Sequence, residues 1–152
     1  MQASLLDRLI DLEPANSSEP VQYRQISYRQ VRAAVGRDLE NLLNTKCFTP
    51  GCPESCPELR RSLYSYGLSD FTGKNPGSPQ VRDELRQEIE RAIRIFEPRL
   101  SQASVQIEES DGRERRLRFR ITAMLVLDQG QEPVNFDTFF DMNRGEYLVH
   151  RQ

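Results

Sequence analysis

Three cysteines, Cys47, Cys52 and Cys56, lie close together in the sequence and are the first candidates for metal chemistry. Their spacing lacks the C-x2-C pair that begins most zinc ribbons, and a structural zinc site takes four ligands. A loop that brought His150, the single histidine, or Glu54 to these thiols would make a metal-stabilised binding module. An odd number of cysteines without a secretion signal favours free thiols in a reducing compartment. We therefore predict no disulfide framework, no metal and no cofactor.

Catalytic chemistry is limited by the same inventory. A Cys–His or Ser–His nucleophile pair has to use His150, which falls in a predicted terminal strand. The 23 acidic residues leave room for a pair of carboxylates, but nearly all of them alternate with basic residues, as on solvated faces. Because no carboxylate lies in an apolar setting that would raise its pKa, we predict no catalytic residue.

Length, composition and charge exclude several classes of protein. A chain of 152 residues has the length of a single domain. A net charge of −2 argues against a general nucleic-acid binder. No apolar run approaches the ~20 residues that span a bilayer, and no secretory signal is visible. The apolar fraction of 37% is low for the length, so part of the chain is either unordered or ordered only against partners.

Residues 1–22 form a predicted N-terminal leader, and we place the main domain at 23–152. Ser4 is a candidate helix N-cap, and the residues after it are apolar on one side of a short helix. Those apolar residues are Leu5, Leu6, Leu9, Ile10 and Leu12. The charged residues are Asp7, Asp11, Glu13 and Glu19 against Arg8, so the leader is acidic. Such a helix either docks on its own domain or is offered to a partner.

The first long helix is predicted over residues 27–45. Ser27 and Gln30 match a capping box, and apolar residues then recur at helical spacing. These residues are Val31, Val35, Leu39, Leu42 and Leu43. A loop at 46–57, rich in cysteine and proline, and a short helix from Glu58 to Tyr64 follow.

An apolar loop is predicted before the second long helix, with Tyr64, Tyr66, Leu68 and Phe71 tucked against the core. Within this loop, Gly67 tolerates a positive φ and Asp70 bonds nearby backbone groups.

The second long helix is predicted to begin at Ser78, as its cap, with Pro79 in its first turn. It ends near Phe96, because Pro98 disfavours helical geometry at Glu97. Its apolar stripe consists of Val81, Leu85, Ile89, Ala92, Ile93 and Phe96. Its outer face alternates acids and bases, including Glu84, Glu88, Glu90 and Arg91, which is typical of a solvated face.

The remaining sequence alternates apolar and polar residues, which predicts strands. The predicted order is a strand around Val105 and Ile107, a strand over 115–127, a turn over 128–132, a strand from Val134, a hairpin turn at 143–145 and a strand from Tyr147 to Val149. The outward positions carry opposite charges on neighbouring strands: Arg116, Arg118 and Arg120 on one, and Asn135, Asp137 and Asp141 on the next. We expect these charges to fix the register of the pair.

The order of elements predicts an α+β, two-layer fold. Two main helices pack on a mostly antiparallel sheet of about four strands, with the helical leader added at the N-terminus. Such a sheet has edges, and an exposed edge accepts a strand from another chain.

Four segments resemble one known family. They are Ser4–Leu9, Asp38–Thr45, Tyr66–Phe71 and Ile95–Leu100. In this order they resemble TssE, the baseplate subunits of bacterial type VI secretion systems, which are similar to the baseplate wedge proteins of contractile-tail phages. The sequence departs from the common family pattern at Ser65 and Ser69, where Asn and Pro are usual.

The resemblance implies a non-enzymatic structural subunit of the baseplate wedge that helps initiate polymerisation of the contractile sheath by strand and charge contacts. It implies the wedge subunits TssF, TssG and TssK and the sheath subunits TssB and TssC as partners, with no nucleic acid and no membrane insertion. The implied location is the cytoplasm, in a baseplate docked at the inner membrane. A small peptidoglycan-active, lysozyme-like hydrolase is the enzymatic alternative, although no acid–nucleophile pair supports it.

The resemblance also implies the partner-binding residues. They are Glu97, Pro98, Arg99, Tyr66, Gly67 and Asp70. A proline-fixed helix exit would hold Glu97 and Arg99 in set directions for a charged contact. In the alternative, the two side chains only pin the helix to the sheet, and the two roles are compatible.

Overall fold

The computed structural model describes residues 27–47, 56–75, 77–108, 116–128, 130–141 and 144–150. The predicted leader, Cys52 and part of the predicted 143–145 turn lie outside these residues, so the domain division at residue 22 stays a prediction.

Helix α1 (Tyr28–Asn44) begins at the predicted capping box. The Ser27 backbone N–H donates to Oε1 of Gln30 at 2.8 Å, and the Gln30 N–H donates back to the Ser27 hydroxyl at 3.3 Å. The apolar residues predicted for this helix are all buried. The helix therefore forms from local signals and is anchored by one apolar face.

The predicted helix from Glu58 to Tyr64 is wrong in extent. The structure has a four-residue helix, α2 (Pro57–Arg60), and a separate 3-10 turn (Leu63–Ser65). Ser62 interrupts them, because its hydroxyl donates to the Leu59 carbonyl at 2.8 Å and accepts from the Tyr64 N–H at 3.3 Å. These bonds compete with the helical ladder.

Helix α3 (Pro79–Phe96) has the predicted bounds, with Pro79 in its first turn. Ser78 occupies the cap position, but its side chain makes no capping hydrogen bond, so that detail of the prediction is wrong. The helix ends where Pro98 requires it to end, and the Glu97 N–H still donates to the Ile93 carbonyl at 2.9 Å.

Four antiparallel strands follow in the spatial order of the sequence: β1 (Leu100–Glu108), β2 (Arg116–Leu127), β3 (Gly130–Asp141) and β4 (Glu146–His150). The predicted turn at 128–132 is too long, because Gly130 already pairs with Leu127. Gly130 adopts φ +144°, and its lack of a side chain allows the chain to reverse this tightly.

The predicted charge pattern sets the register of β2 and β3. Arg120 lies opposite Asp137, and its Nε donates to Oδ1 of the carboxylate at 2.7 Å. Arg118 lies opposite Phe139 and places its guanidinium 5.4 Å from the ring centroid. The Arg120–Asp137 ion pair and the Arg118–Phe139 cation–π contact join β2 to β3 on the solvent face, and Arg120 also lies 3.6 Å from the Glu108 carboxylate of β1.

The core lies between the two long helices and the inner face of the sheet. Helix α1 packs against β4, helix α3 against β1, and the two helices also touch each other. The largest buried side chains of the sheet are Phe119, Phe136 and Phe140. The predicted α+β fold of two main helices on a four-stranded antiparallel sheet is confirmed, and the helical leader falls outside the described residues.

Candidate functional site

The exit of helix α3 is a four-residue turn from Glu97 to Leu100. The Leu100 N–H donates to the Glu97 carbonyl at 3.0 Å, with Pro98 at the second position, where its fixed φ is favoured. The Arg99 carbonyl accepts the Val126 N–H at 2.8 Å. The turn therefore fixes the start of β1 against β2 and orients the side chains on either side of the exposed Pro98.

Glu97 is buried, with only 4% of its surface exposed. Its carboxylate accepts two hydrogen bonds from the Arg99 guanidinium, from Nε at 2.6 Å and from Nη2 at 2.5 Å. This two-point contact matches the planar fork of arginine, and the buried negative charge is compensated within the turn.

Asp38 brings helix α1 into the same cluster. Nη2 of Arg99 donates to Oδ2 of Asp38 at 2.6 Å, and the other carboxylate oxygen accepts from Nη2 of Arg37 at 3.0 Å. The hydrogen bonds from Arg99 to Glu97, and then those to Asp38, raise the pKa of Arg99 above its usual value. We call Asp38, Glu97 and Arg99 the helix-exit network, because it ties the end of α3 to α1.

The sequence alternative has Glu97 and Arg99 pin the helix to the sheet, whereas the side-chain contact in the structure is with α1, through Asp38. Sequence reasoning did not assign Asp38 to this site. It lies 61 positions from Arg99, so no local pattern joins the two residues. Asp38 did fall within one of the four segments that carry the family resemblance.

Tyr66 lies beside the helix-exit network. Its ring packs edge-on against Phe96, with the centroids 5.1 Å apart. Burial raises the pKa of Tyr66, and the negative charges of Asp38 and Glu97 raise it further. The structure thus brings three of the predicted partner-binding residues, Tyr66, Glu97 and Arg99, to one place.

Gly67 is required by a close backbone approach. It adopts φ +103°, and a Cβ at this position would lie 2.2 Å from the Thr45 carbonyl oxygen. The tight contact lets the Leu68 N–H donate to the Thr45 carbonyl at 2.9 Å and the Cys47 N–H donate to the Leu68 carbonyl at 2.8 Å. Leu68 and Phe71 are buried as predicted, but Tyr64 is 55% exposed, so the prediction that Tyr64 is also tucked against the core is wrong.

Asp70 lies in a different environment. Its carboxylate accepts hydrogen bonds from Nζ of Lys46 at 2.8 Å and from the N–H and hydroxyl of Thr72 at 3.0 and 2.6 Å. The hydrogen bonds from Lys46 and then Thr72 lower the pKa of Asp70 below its ordinary value. The side chains of Lys46 and Asp70 are each more than half exposed. We call Lys46, Asp70 and Thr72 the surface network.

Glu88 and Glu90 of α3, which were predicted to lie on a solvated face, accept hydrogen bonds from other parts of the fold. Oε1 of Glu88 accepts from the Ser69 N–H at 2.8 Å and from the Ser69 hydroxyl at 2.7 Å. Oε1 of Glu90 accepts the Val105 N–H at 2.9 Å. Both residues lie beside the buried stripe of α3. From there, a long carboxylate side chain can accept hydrogen bonds from backbone N–H groups that would otherwise lack a partner.

The outer edges of the sheet are capped by helix side chains. The Glu90 carboxylate accepts a hydrogen bond from the outward N–H of Val105 on β1. On β4, Asn44 bonds both backbone groups of Tyr147, donating to its carbonyl at 2.9 Å and accepting its N–H at 2.8 Å. Such contacts limit uncontrolled pairing with other chains.

One stretch of edge is less protected. Within the described residues, which run to His150, strand β4 pairs with Asp137–Asp141, and none of them forms a strand beside the first half of β3 on that side. Arg32 donates to the Asn135 carbonyl at 3.4 Å, which shows that the backbone groups of Asn135 point outward there. Pro133 faces the same way, because alternate residues share a direction, and it lacks an N–H. The Asn135 N–H points to this side of β3 as well.

The described part of the chain contains no candidate metal site and no candidate membrane-spanning helix. Within those residues, no three His, Cys, Asp or Glu side chains come together to hold a metal ion. Cys47 and Cys56 form no disulfide there, and Cys52 lies outside. No helix in the described ranges combines the length and apolar character needed to cross a bilayer.

Comparison with known proteins gives the family. The family model described as baseplate wedge protein gp25 matches residues 29–130, which is 102 of the 152 residues. The matched range includes both long helices, the helix-exit and surface networks, β1 and β2. No curated protein matches the chain. The chain therefore belongs to the gp25 family of baseplate wedge proteins, which are structural components of baseplates.

Proposed function

We propose that the chain is the TssE-type wedge subunit of a type VI secretion baseplate, where it initiates polymerisation of the contractile sheath without enzymatic activity. Membership of the wedge family supports the structural role. The four segments that resemble TssE support the secretion context. The proposed partners are the wedge subunits TssF, TssG and TssK and the sheath subunits TssB and TssC, in the cytoplasm at a baseplate docked on the inner membrane.

The open half of β3 is the observation that carries the sheath contact. Asn135 is exposed, and its outward N–H lies beyond the part of β3 that the described residues of β4 cover. An extended segment of a sheath subunit pairs with such an edge through backbone hydrogen bonds, which need no particular side chain on the partner. The capped positions at Val105 and Tyr147 limit pairing elsewhere on the sheet edges.

The surface network is the proposed charge contact. Lys46 and Asp70 are exposed enough to exchange their mutual bond for bonds to a partner, and Pro98 is exposed on the turn. In this proposal Glu97 and Arg99 do not contact the partner directly. Because their charges are satisfied by each other and by Asp38, they fix the direction of the turn that a partner would meet.

The lysozyme-like alternative receives little support from the carboxylates. A glycosidase acid is a carboxyl group whose surroundings favour the protonated form. Glu97 is the one buried carboxylate among the described residues, and Arg99 bonds both of its oxygens. Both oxygens of this carboxylate are therefore already occupied inside the protein. Zymography of the purified protein on peptidoglycan is expected to give no clearing, and a cleared zone would overturn the non-enzymatic assignment.

The proposal is tested in a secretion-competent cell. A tagged full-length chain is expected to co-purify with TssF, TssG, TssK and the sheath subunits, and its deletion should abolish sheath assembly observed by fluorescence microscopy. Co-purification with phage tail proteins alone would reject the secretion context.

The sheath edge is tested by Asn135→Pro, with Asn135→Ala as the matched control. Proline removes the outward N–H without removing a bond to β2, and Pro133 shows that this side of β3 accepts proline. The proline variant should assemble few sheaths while the alanine variant assembles a normal number. Equal sheath assembly by two folded variants would show that the strand contact lies elsewhere.

A further inference from the structure

An apolar patch lies between the first helix and the family motif loop. In the described part of the chain, five large apolar side chains are exposed, and three of them fall within six residues. Leu63 is 87% exposed, Tyr64 55% and Leu59 39%. We call these three residues the 59–64 patch. Apolar side chains clustered in this way mark a surface that something covers, whereas single exposed ones need no explanation.

The backbone beneath the patch is fixed. The hydroxyls of Ser62 and Ser65 each donate to the Leu59 carbonyl at 2.8 Å, and Ser65 is buried. The patch is therefore presented by a hydrogen-bonded turn. Charged residues beside it are Arg60 and Arg61 against Glu58, which leaves an excess of one positive charge.

The leader has the complementary chemistry. Its apolar residues, Leu5, Leu6, Leu9, Ile10 and Leu12, have the spacing of one helix face, and its acids outnumber its single arginine in residues 1–22. The leader lies outside the range matched by the family model, which begins at residue 29.

The connection between the two is long enough. The described chain resumes at Ser27, at the start of α1, whose 17 residues span about 26 Å. The patch lies toward the far end of α1, because Sγ of Cys47, just after the helix, is 3.9 Å from the Tyr64 carbonyl. The residues at 13–26 reach up to about 46 Å when extended, which exceeds that distance.

We propose that in the free chain the leader helix packs its apolar face on Leu59, Leu63 and Tyr64, with its acidic residues facing Arg60 and Arg61. The proposal goes beyond the proposed function and does not rest on it. Burial of the patch against the leader removes apolar surface from water on both sides, which stabilises the docked form.

A double-mutant cycle in the full-length chain tests the contact. The variants are Leu63→Asp, Leu9→Asp and the two combined. Each single change is expected to lower the Tm by about 5 °C, because each places a charge in the docked interface, and the double variant should lose little more than either single variant.

Leu148→Asp is the matched control. Leu148 is 50% exposed on the solvent face of β4, where the proposal places nothing. Leu148 lies in a strand opposite Phe139, so Asp there has a cost of its own. The control is therefore read from additivity: the effects of Leu148→Asp and Leu9→Asp on the Tm should add independently, whereas those of Leu63→Asp and Leu9→Asp should not.

Three outcomes would overturn the proposal. The first is an unchanged Tm for Leu63→Asp, which means that water covers the patch in the free chain or that only a wedge partner covers it. The second is strict additivity of Leu9→Asp and Leu63→Asp. The third is a Tm and a molecular mass that rise with protein concentration and lose that dependence in Leu63→Asp, which identifies a second copy of the chain as the occupant.

Discussion

The helix-exit network and the surface network contain the same chemistry in opposite surroundings. Each holds a carboxylate by hydrogen bonds from a cation, Glu97 by Arg99 and Asp70 by Lys46. The side chain of Glu97 is 5% exposed, whereas that of Asp70 is 51% exposed. The contact distances are similar, so distance alone does not separate the two pairs.

Burial decides what each pair does. A buried carboxylate deprived of its cation is left as an uncompensated charge, and the structure around it is destabilised. An exposed carboxylate deprived of its cation is solvated by water at little cost, so its bond can be exchanged for a bond to a partner. We infer that the helix-exit network holds the architecture and that the surface network is the half of the predicted site suited to direct contact.

The largest effect is expected from Glu97→Ala. It leaves Arg99 without its two-point partner and loosens the link between α3 and α1, so the free energy of unfolding should fall by about 3 kcal/mol. The measurement is urea denaturation of the purified protein.

Glu84→Ala is the control for that prediction, because Glu84 lies on the same helix and pairs with Lys74 at 2.8 Å with 58% of its side chain exposed. Its loss should be below about 0.5 kcal/mol. If the two alanine variants lose equal stability, burial does not distinguish the pairs and the comparison fails.

A smaller effect is expected from Gly67→Ala, which acts on the backbone between the two networks. The positive φ and the 2.2 Å approach to Thr45 force the loop to shift, at a cost of about 2 kcal/mol. Gly73→Ala is the control, because no atom lies within 4 Å of its added Cβ. A thermal melt in which both variants match the wild type would show that the loop is not held by this approach.

The smallest effect on stability is expected from Asp70→Asn. The pKa of Asp70 is lower in the folded than in the unfolded chain, so the folded state binds its proton less readily. Its contribution is present above the unfolded value of about 3.9 and is lost as the pH falls below it. Near pH 7 the change in unfolding midpoint should be small, because both partners are exposed.

The surface network is then separated from the helix-exit network by partner binding. Asp70→Asn should reduce co-purification of wedge or sheath subunits while the protein remains folded. Glu84→Gln, which also removes an exposed carboxylate that pairs with a lysine, serves as the control. Normal co-purification of these subunits with the Asp70→Asn variant would show that the charge contact does not involve Asp70.

Elements whose cause is local were predicted well. The capping box at Ser27 and Gln30, the helix stop before Pro98 and the alternation of β2 each depend on residues within a few positions of one another. The errors arose where nearby groups competed or where pairing decided. Ser62 split a predicted helix, and the Leu127–Gly130 pair shortened a predicted turn.

The candidate site was predicted in composition and not in arrangement. Of the six residues implied by the family resemblance, Tyr66, Glu97, Pro98 and Arg99 lie at the helix exit, Asp70 lies in the surface network, and Gly67 lies between them against Thr45. Asp38 was missed because its partner Arg99 is distant in sequence. The edge-capping roles of Glu90 and Asn44 were missed for the same reason, since each depends on a strand that follows its helix.

The sequence by itself determined the α+β order and the limits of the two long helices, because periodicity and proline geometry act over short stretches of chain. Only the tertiary structure decided that Glu97 is buried, that Arg99 joins it to Asp38 and that Asp70 stays exposed. Burial depends on what packs above a residue, and that is set by segments far away in the chain. The same charged pair is therefore an internal tie at one position and an available contact at another.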